Sequence, residues 1–106
     1  MMTGGSVASD DDAIMARFVR DYLALLDHRV STITTELESG TDLNAHVALL
    51  SLESASTMVG ATELAKLVGL LRSDVERGQR AHIRGLVRAI TIEATQLRGR
   101  LDPAKA

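Results

Sequence analysis

The chain contains a single proline, Pro103, and it lies beyond the last patterned segment. Everything before it lacks the residue that most firmly breaks a helix. Between Ala13 and Leu101 the glycines placed to punctuate the chain are Gly40, Gly60 and Gly78, which cut it into four segments of helix length. No stretch sustains an alternation of period two, so no strand is expected. Such a chain is built of rods.

The first rod is expected to start after Asp10-Asp11-Asp12, whose short carboxylates suit free N–H groups and the positive end of a helix dipole. Its apolar positions Ile14, Phe18, Tyr22, Leu25, Leu26, Ile33 and Leu37 recur at helical spacing over about 27 residues, or about seven turns. Gly40 is expected to stop it by taking a left-handed conformation. The second rod, capped by Thr41 or Asp42, runs to about Met58. The third, Thr62 to Arg77, carries Leu64, Leu67, Val68, Leu71 and Val75 on one stripe and stops at Gly78. The fourth, Gln79 to Leu101, carries Ile83, Leu86, Val87, Ile90, Ala94, Leu97 and Leu101. No rod can bury its stripe alone. Short connections make successive rods antiparallel neighbours, so the expected fold is an all-α, up-down-up-down four-helix bundle over residues 13–101. Residues 1–12, rich in Gly, Ser and Asp, and residues 102–106 are expected to be flexible tails.

Composition fits one domain of 106 residues. Hydrophobic residues make up 45% but aromatics only 2%, so the core must come from Leu, Val, Ile, Ala and Met, which suits helix-on-helix packing. With no cysteine, there is no disulfide, thiolate metal site or cysteine nucleophile. A net charge of −2 gives no global attraction to nucleic acid or anionic lipid, and neither partner is expected. No apolar run nears the roughly 18 residues a membrane span needs, and the N-terminus has no secretory pattern, so a cytoplasmic location is expected. Charge is nonetheless uneven: residues 1–53 carry a net −6 and residues 54–106 a net +4, which complementary surfaces on neighbouring helices would use.

The second rod carries the functional information. On a helical wheel Ala45, Ala48, Leu52, Ala55 and Val59 line one face, while His46, Leu50, Glu53, Ser54 and Thr57 fall within about 100° on the opposite side. That second face is polar except at Leu50. The rod ends in Val59-Gly60-Ala61, with Leu64 opening the next, and Phe18, Tyr22 and Leu23 stand near the chain start. In these positions the chain resembles the histidine phosphotransfer (HPt) family, over about residues 13–101. That family shows an Ala-His-x-Leu-Lys-Gly run on its second long helix and a Leu-Gly-Ala turn ten residues after the histidine. Counting back from Gly60 puts Leu52 on the family's leucine, Leu50 on its phospho-accepting histidine, Glu53 on its lysine and Ser54 on its glycine. The resemblance thus implies a two-component signalling module whose acceptor is missing. Leucine has no nucleophile, and Glu53 offers repulsion where the lysine offers positive charge. The expected role is non-enzymatic docking of a response-regulator receiver domain or a histidine kinase through His46, Leu50, Glu53, Ser54 and Thr57, with Gly60 as the structural turn. No cofactor is expected, and the chain is expected to be a monomer or weak homodimer.

Two alternatives stand beside that reading. His46, one turn before Leu50, would serve as a displaced phospho-acceptor in an active phosphotransfer protein. Otherwise the chain is a structural or adaptor bundle that self-associates through its second helix. His28 and His82 fall on different segments without metal-ligand spacing, so no metal is expected. Arg77, Arg80, Arg84 and Arg88 form a cationic ridge around the start of the fourth rod, open to anionic partners or to solvent and acidic neighbours such as Glu76. Neither a strained Gly-x-Ser-x-Gly turn nor a phosphate-cradling glycine loop is present.

Overall fold

A computed structural model describes the backbone of residues 3–101, with side chains from residue 10 onward. It has four helices, α1 (Thr3–Ser39), α2 (Asp42–Met58), α3 (Thr62–Glu76) and α4 (Ile83–Leu101), and among the described residues no strand. Each helix packs mainly on two others: α1 on α2 and α4, and α3 on α2 and α4. The four therefore close around one core. Leu26 of α1, Leu49 and Leu52 of α2, and Leu64, Val68 and Leu71 of α3 are fully buried there, with Ile90, Ala94 and Leu97 of α4 nearly so. Each such Leu, Ile or Val side chain contributes about 1.5–3 kcal/mol by leaving water. Among the described residues no helix is long and apolar enough to cross a membrane.

Contacts between helices also fix which levels face each other. Tyr22 of α1 meets Ser56 of α2, and Glu53 of α2 meets Arg72 of α3. His46 at the start of α2 faces Glu76 at the end of α3. Arg98, late in α4, reaches Asp27 and the Leu23 carbonyl of α1. The acidic first half thus meets the basic second half directly, through Glu53–Arg72, Asp42–Arg80 and Asp27–Arg98.

Helix ends differ from expectation in instructive ways. The backbone is helical from Thr3, so α1 runs through Asp10-Asp11-Asp12 rather than starting after them and being capped by them. Once a helix exists, each added residue needs only its own local hydrogen bond, and nothing in this stretch blocks propagation. Residues 10–17 are all exposed, leaving Ile14 and Met15 without core contacts. A helix of 37 residues accounts for the 58 Å long dimension. Residues 102–106, the expected C-terminal tail, lie outside the described residues.

Gly40 is not left-handed; among the described residues only Gly60 and Gly78 have positive φ. Its role is space, because a Cβ there would lie 2.9 Å from the Glu36 Cα. The break after α1 comes instead from extended Thr41, whose hydroxyl accepts a hydrogen bond from the Asn44 N–H at 3.1 Å and so caps α2. Gly60 and Gly78 do act as expected. With φ of 80° and 69°, each places the next residue so that its N–H reaches back five residues, Ala61 to the Ser56 carbonyl at 2.8 Å and Gln79 to the Asp74 carbonyl at 2.9 Å. Both are Schellman closures. The second occupies Gln79, so α4 starts at Ile83 rather than Gln79, and Arg77 is the cap of α3 rather than its last turn.

Candidate functional site

α2 is the helix whose sequence raised the functional question, and its packing divides the candidate residues. Its inward face is Ala45, Leu49, Leu52 and Ser56, all buried. This is rotated from the expected stripe: Ala48, Ala55 and Val59 are half-buried on a flank. The reason is that α2 sits between α1 and α3 and must present side chains to both. Ser56 was missed as an interior residue, although it lies four and seven residues from Leu52 and Leu49, on the same stripe. It can be buried because the Tyr22 hydroxyl sits 2.7 Å from its Oγ. Burial pushes the Tyr22 phenol above its ordinary pKa, outweighing the opposing effects of the Ser56 hydrogen bond and the Arg29 charge.

His46 and Glu53 belong to the flank that faces α3, not to the solvent face of Leu50. His46 is half-buried; its Nδ1 is buried without a hydrogen bond, 3.6 Å from a Glu76 carboxylate oxygen. Glu53 accepts a 2.7 Å hydrogen bond from Arg72 Nε, which strengthens the hold of the guanidinium on its proton. The carboxylate also lies over Gly69, where a Cβ would approach within 2.9 Å of it. Arg72 in turn reaches Glu76 at 3.6 Å. Glu53 is therefore not the free negative charge that the sequence suggested. Arg72, about one turn before the end of α3, supplies its counter-charge from the neighbouring helix.

Leu50, Ser54 and Thr57 are exposed, and they have apolar company. Leu43, Val47 and Met58 are exposed as well, and with Leu50 and Ser54 they span about 80° of the helix directly opposite the core. Leu50 is 46% exposed and Val47 58%. The reading of this face as polar except at Leu50 was too narrow. Counting 43, 47, 50, 54, 58 at helical spacing would have shown the stripe. A surface helix that is apolar on both sides has either a second partner or an unneeded cost in exposed surface.

Elsewhere the cationic ridge is partly spent on the fold. All four of its arginines are exposed; Arg77 pairs with Asp74 at 2.9 Å and Arg80 with Asp42 at 2.8 Å, whereas Arg84 and Arg88 have no ion pair among the described residues. His28 lies on α1 and His82 in the loop before α4, and no cluster of metal-ligating side chains is found among the described residues. Comparison of the chain with protein-family models, with curated proteins and with solved structures finds no match.

Proposed function

We propose that the chain is an HPt-like, up-down-up-down antiparallel bundle that acts in the cytoplasm. In this reading it docks a response-regulator receiver or a histidine kinase through the outer face of α2, without carrying phosphate. The facing levels of the helices support the antiparallel arrangement: 22 with 56, 46 with 76, 53 with 72 and 27 with 98. One observation carries the docking role. Leu50, which the resemblance aligns with the phospho-accepting histidine, projects to solvent in the middle of an apolar stripe on the side of α2 away from the core.

Docking that buries Leu50 would draw about 1.5–3 kcal/mol from that side chain alone, or about ten- to a hundred-fold in affinity. The test is titration of the whole chain against the receiver and kinase domains of its source organism. Leu50→Asp should weaken binding by that factor while helical content and melting temperature stay unchanged. Absence of binding to any of them overturns the reading. Active phosphotransfer through His46 draws little support from a ring that is half-buried beside Glu76; acid-labile phosphate on the protein, lost in His46→Ala, would establish it. The same apolar stripe also supports self-association, which a concentration-dependent mass reduced by Leu50→Asp would reveal.

A further inference from the structure

Three arginines of the described residues are half-buried: Arg29, Arg72 and Arg98. Arg72 has Glu53 and Arg98 has Asp27. Arg29 has no ion pair among the described residues, and its Nη1 is buried without any hydrogen-bond partner. The positions one turn away on α1 are Leu25, Leu26, Thr32 and Ile33, none of them acidic, and neighbouring Asp27 is held by Arg98 at 3.0 Å. A guanidinium N–H group removed from water with no acceptor is costly, and native proteins leave few such groups unexplained.

Arg29 lines a pocket of about 230 Å³ in the seam between α1 and α2, together with His28, Thr32, Ala48 and Ser51. No carboxylate lines it. The lining offers a planar guanidinium fork, an imidazole and two hydroxyls, drawn from two helices. That set is rich in donors converging from different directions, which is what a tetrahedral oxyanion requires. The volume is below the range of roughly 300–1,000 Å³ that holds organic ligands of drug size, which points to a small ion or a single group.

We propose that this seam is a binding site for a phosphate group, free or carried as a monoester, with Arg29 as its principal ligand and Thr32, Ser51 and His28 completing the shell. The site lies on the α1 flank of α2, apart from the Leu50 stripe, so its failure would leave the docking role untouched.

The test is an amide-resolved NMR titration of the whole protein with inorganic phosphate, repeated with phosphoserine, acetate and sodium chloride at matched ionic strength. Saturable shifts centred on His28, Arg29, Thr32 and Ser51 are expected with phosphate. Tighter binding of phosphoserine than of phosphate assigns the site to a carried group, and the reverse order assigns it to the free ion. Arg29→Met, which keeps the apolar stem and removes an unpartnered donor, should fold at least as stably as the parent and bind at least ten-fold more weakly. Ser51→Ala, at an exposed position, gives a second variant with a smaller loss, and Arg84→Met should bind as the parent does. The proposal is overturned by shifts that never saturate, by equal binding of acetate, by a response centred on Arg84 and Arg88, or by an Arg29→Met variant that binds normally.

Discussion

Leu49 and Leu50 are adjacent in the chain, identical in chemistry and about 100° apart on α2. The first is fully buried with Leu52 and Ala45; the second is 46% exposed with Leu43, Val47 and Met58. Folding accounts for the inward face completely, because those side chains meet α1 and α3. It does not account for the outward one. What separates the two faces is how many neighbours the bundle provides, and the fold provides none on the far side of α2.

Breaking the inward face should have the largest effect. Leu52→Ala, which leaves a cavity in the buried core, is expected to cost about 2–5 kcal/mol of stability in denaturant unfolding. Leu50→Ala should fall within about 0.5 kcal/mol of the parent. Comparable losses for the two would erase the distinction between the faces.

The polar contact inside the inward face comes next. Tyr22→Phe leaves the Ser56 hydroxyl buried without a partner, which is expected to cost about 1–3 kcal/mol. The same residue sets an alkaline limit. Because the folded Tyr22 has a raised pKa, the folded state holds its proton more tightly than the unfolded chain does. The resulting stability is fully present below the ordinary phenol value of about 10 and is lost as pH rises through the higher folded value. Stability measured from pH 8 to 12 should therefore decline more steeply for the parent than for Tyr22→Phe.

At the end of α2 the effect is smaller. Gly60→Ala forces a side chain into the left-handed region at φ 80° with no neighbour within 4 Å, so the cost is torsional alone, about 1–2 kcal/mol. It should lower the melting temperature without altering the exposure of Leu50. A change in that exposure would mean that the turn, and not the packing of the inward face, orients the helix.

Much of this was legible from spacing. The absence of internal proline, the apolar stripes of α3 and α4 and the glycines at 60 and 78 were enough to place four helices and two of their ends. Local signals were weaker where the decision was steric or shared between helices. Gly40 looked like a left-handed stop, yet its need is room beside Glu36, which no propensity records. Asp10-Asp11-Asp12 looked like a cap, but capping residues are also tolerated within an exposed helix when nothing ends it. At the candidate site, the outward projection of Leu50 could be read from the wheel. The pairing of Glu53 with Arg72 could not, since the two are 19 residues apart and meet only when α2 and α3 pack. Ser56 was readable from periodicity and obscured by its polarity, because its partner Tyr22 lies 34 residues away.

The chain has no cysteine, so a single introduced thiol reports on one position alone. Leu49→Cys and Leu50→Cys, treated with a thiol-reactive reagent under native conditions, test the orientation of α2 most directly. Leu50→Cys should react about as fast as an unfolded control, and Leu49→Cys only when the protein opens. Protection of the thiol at position 50, or rapid labelling of both, would contradict an α2 that keeps one leucine for the core and turns the other to solvent.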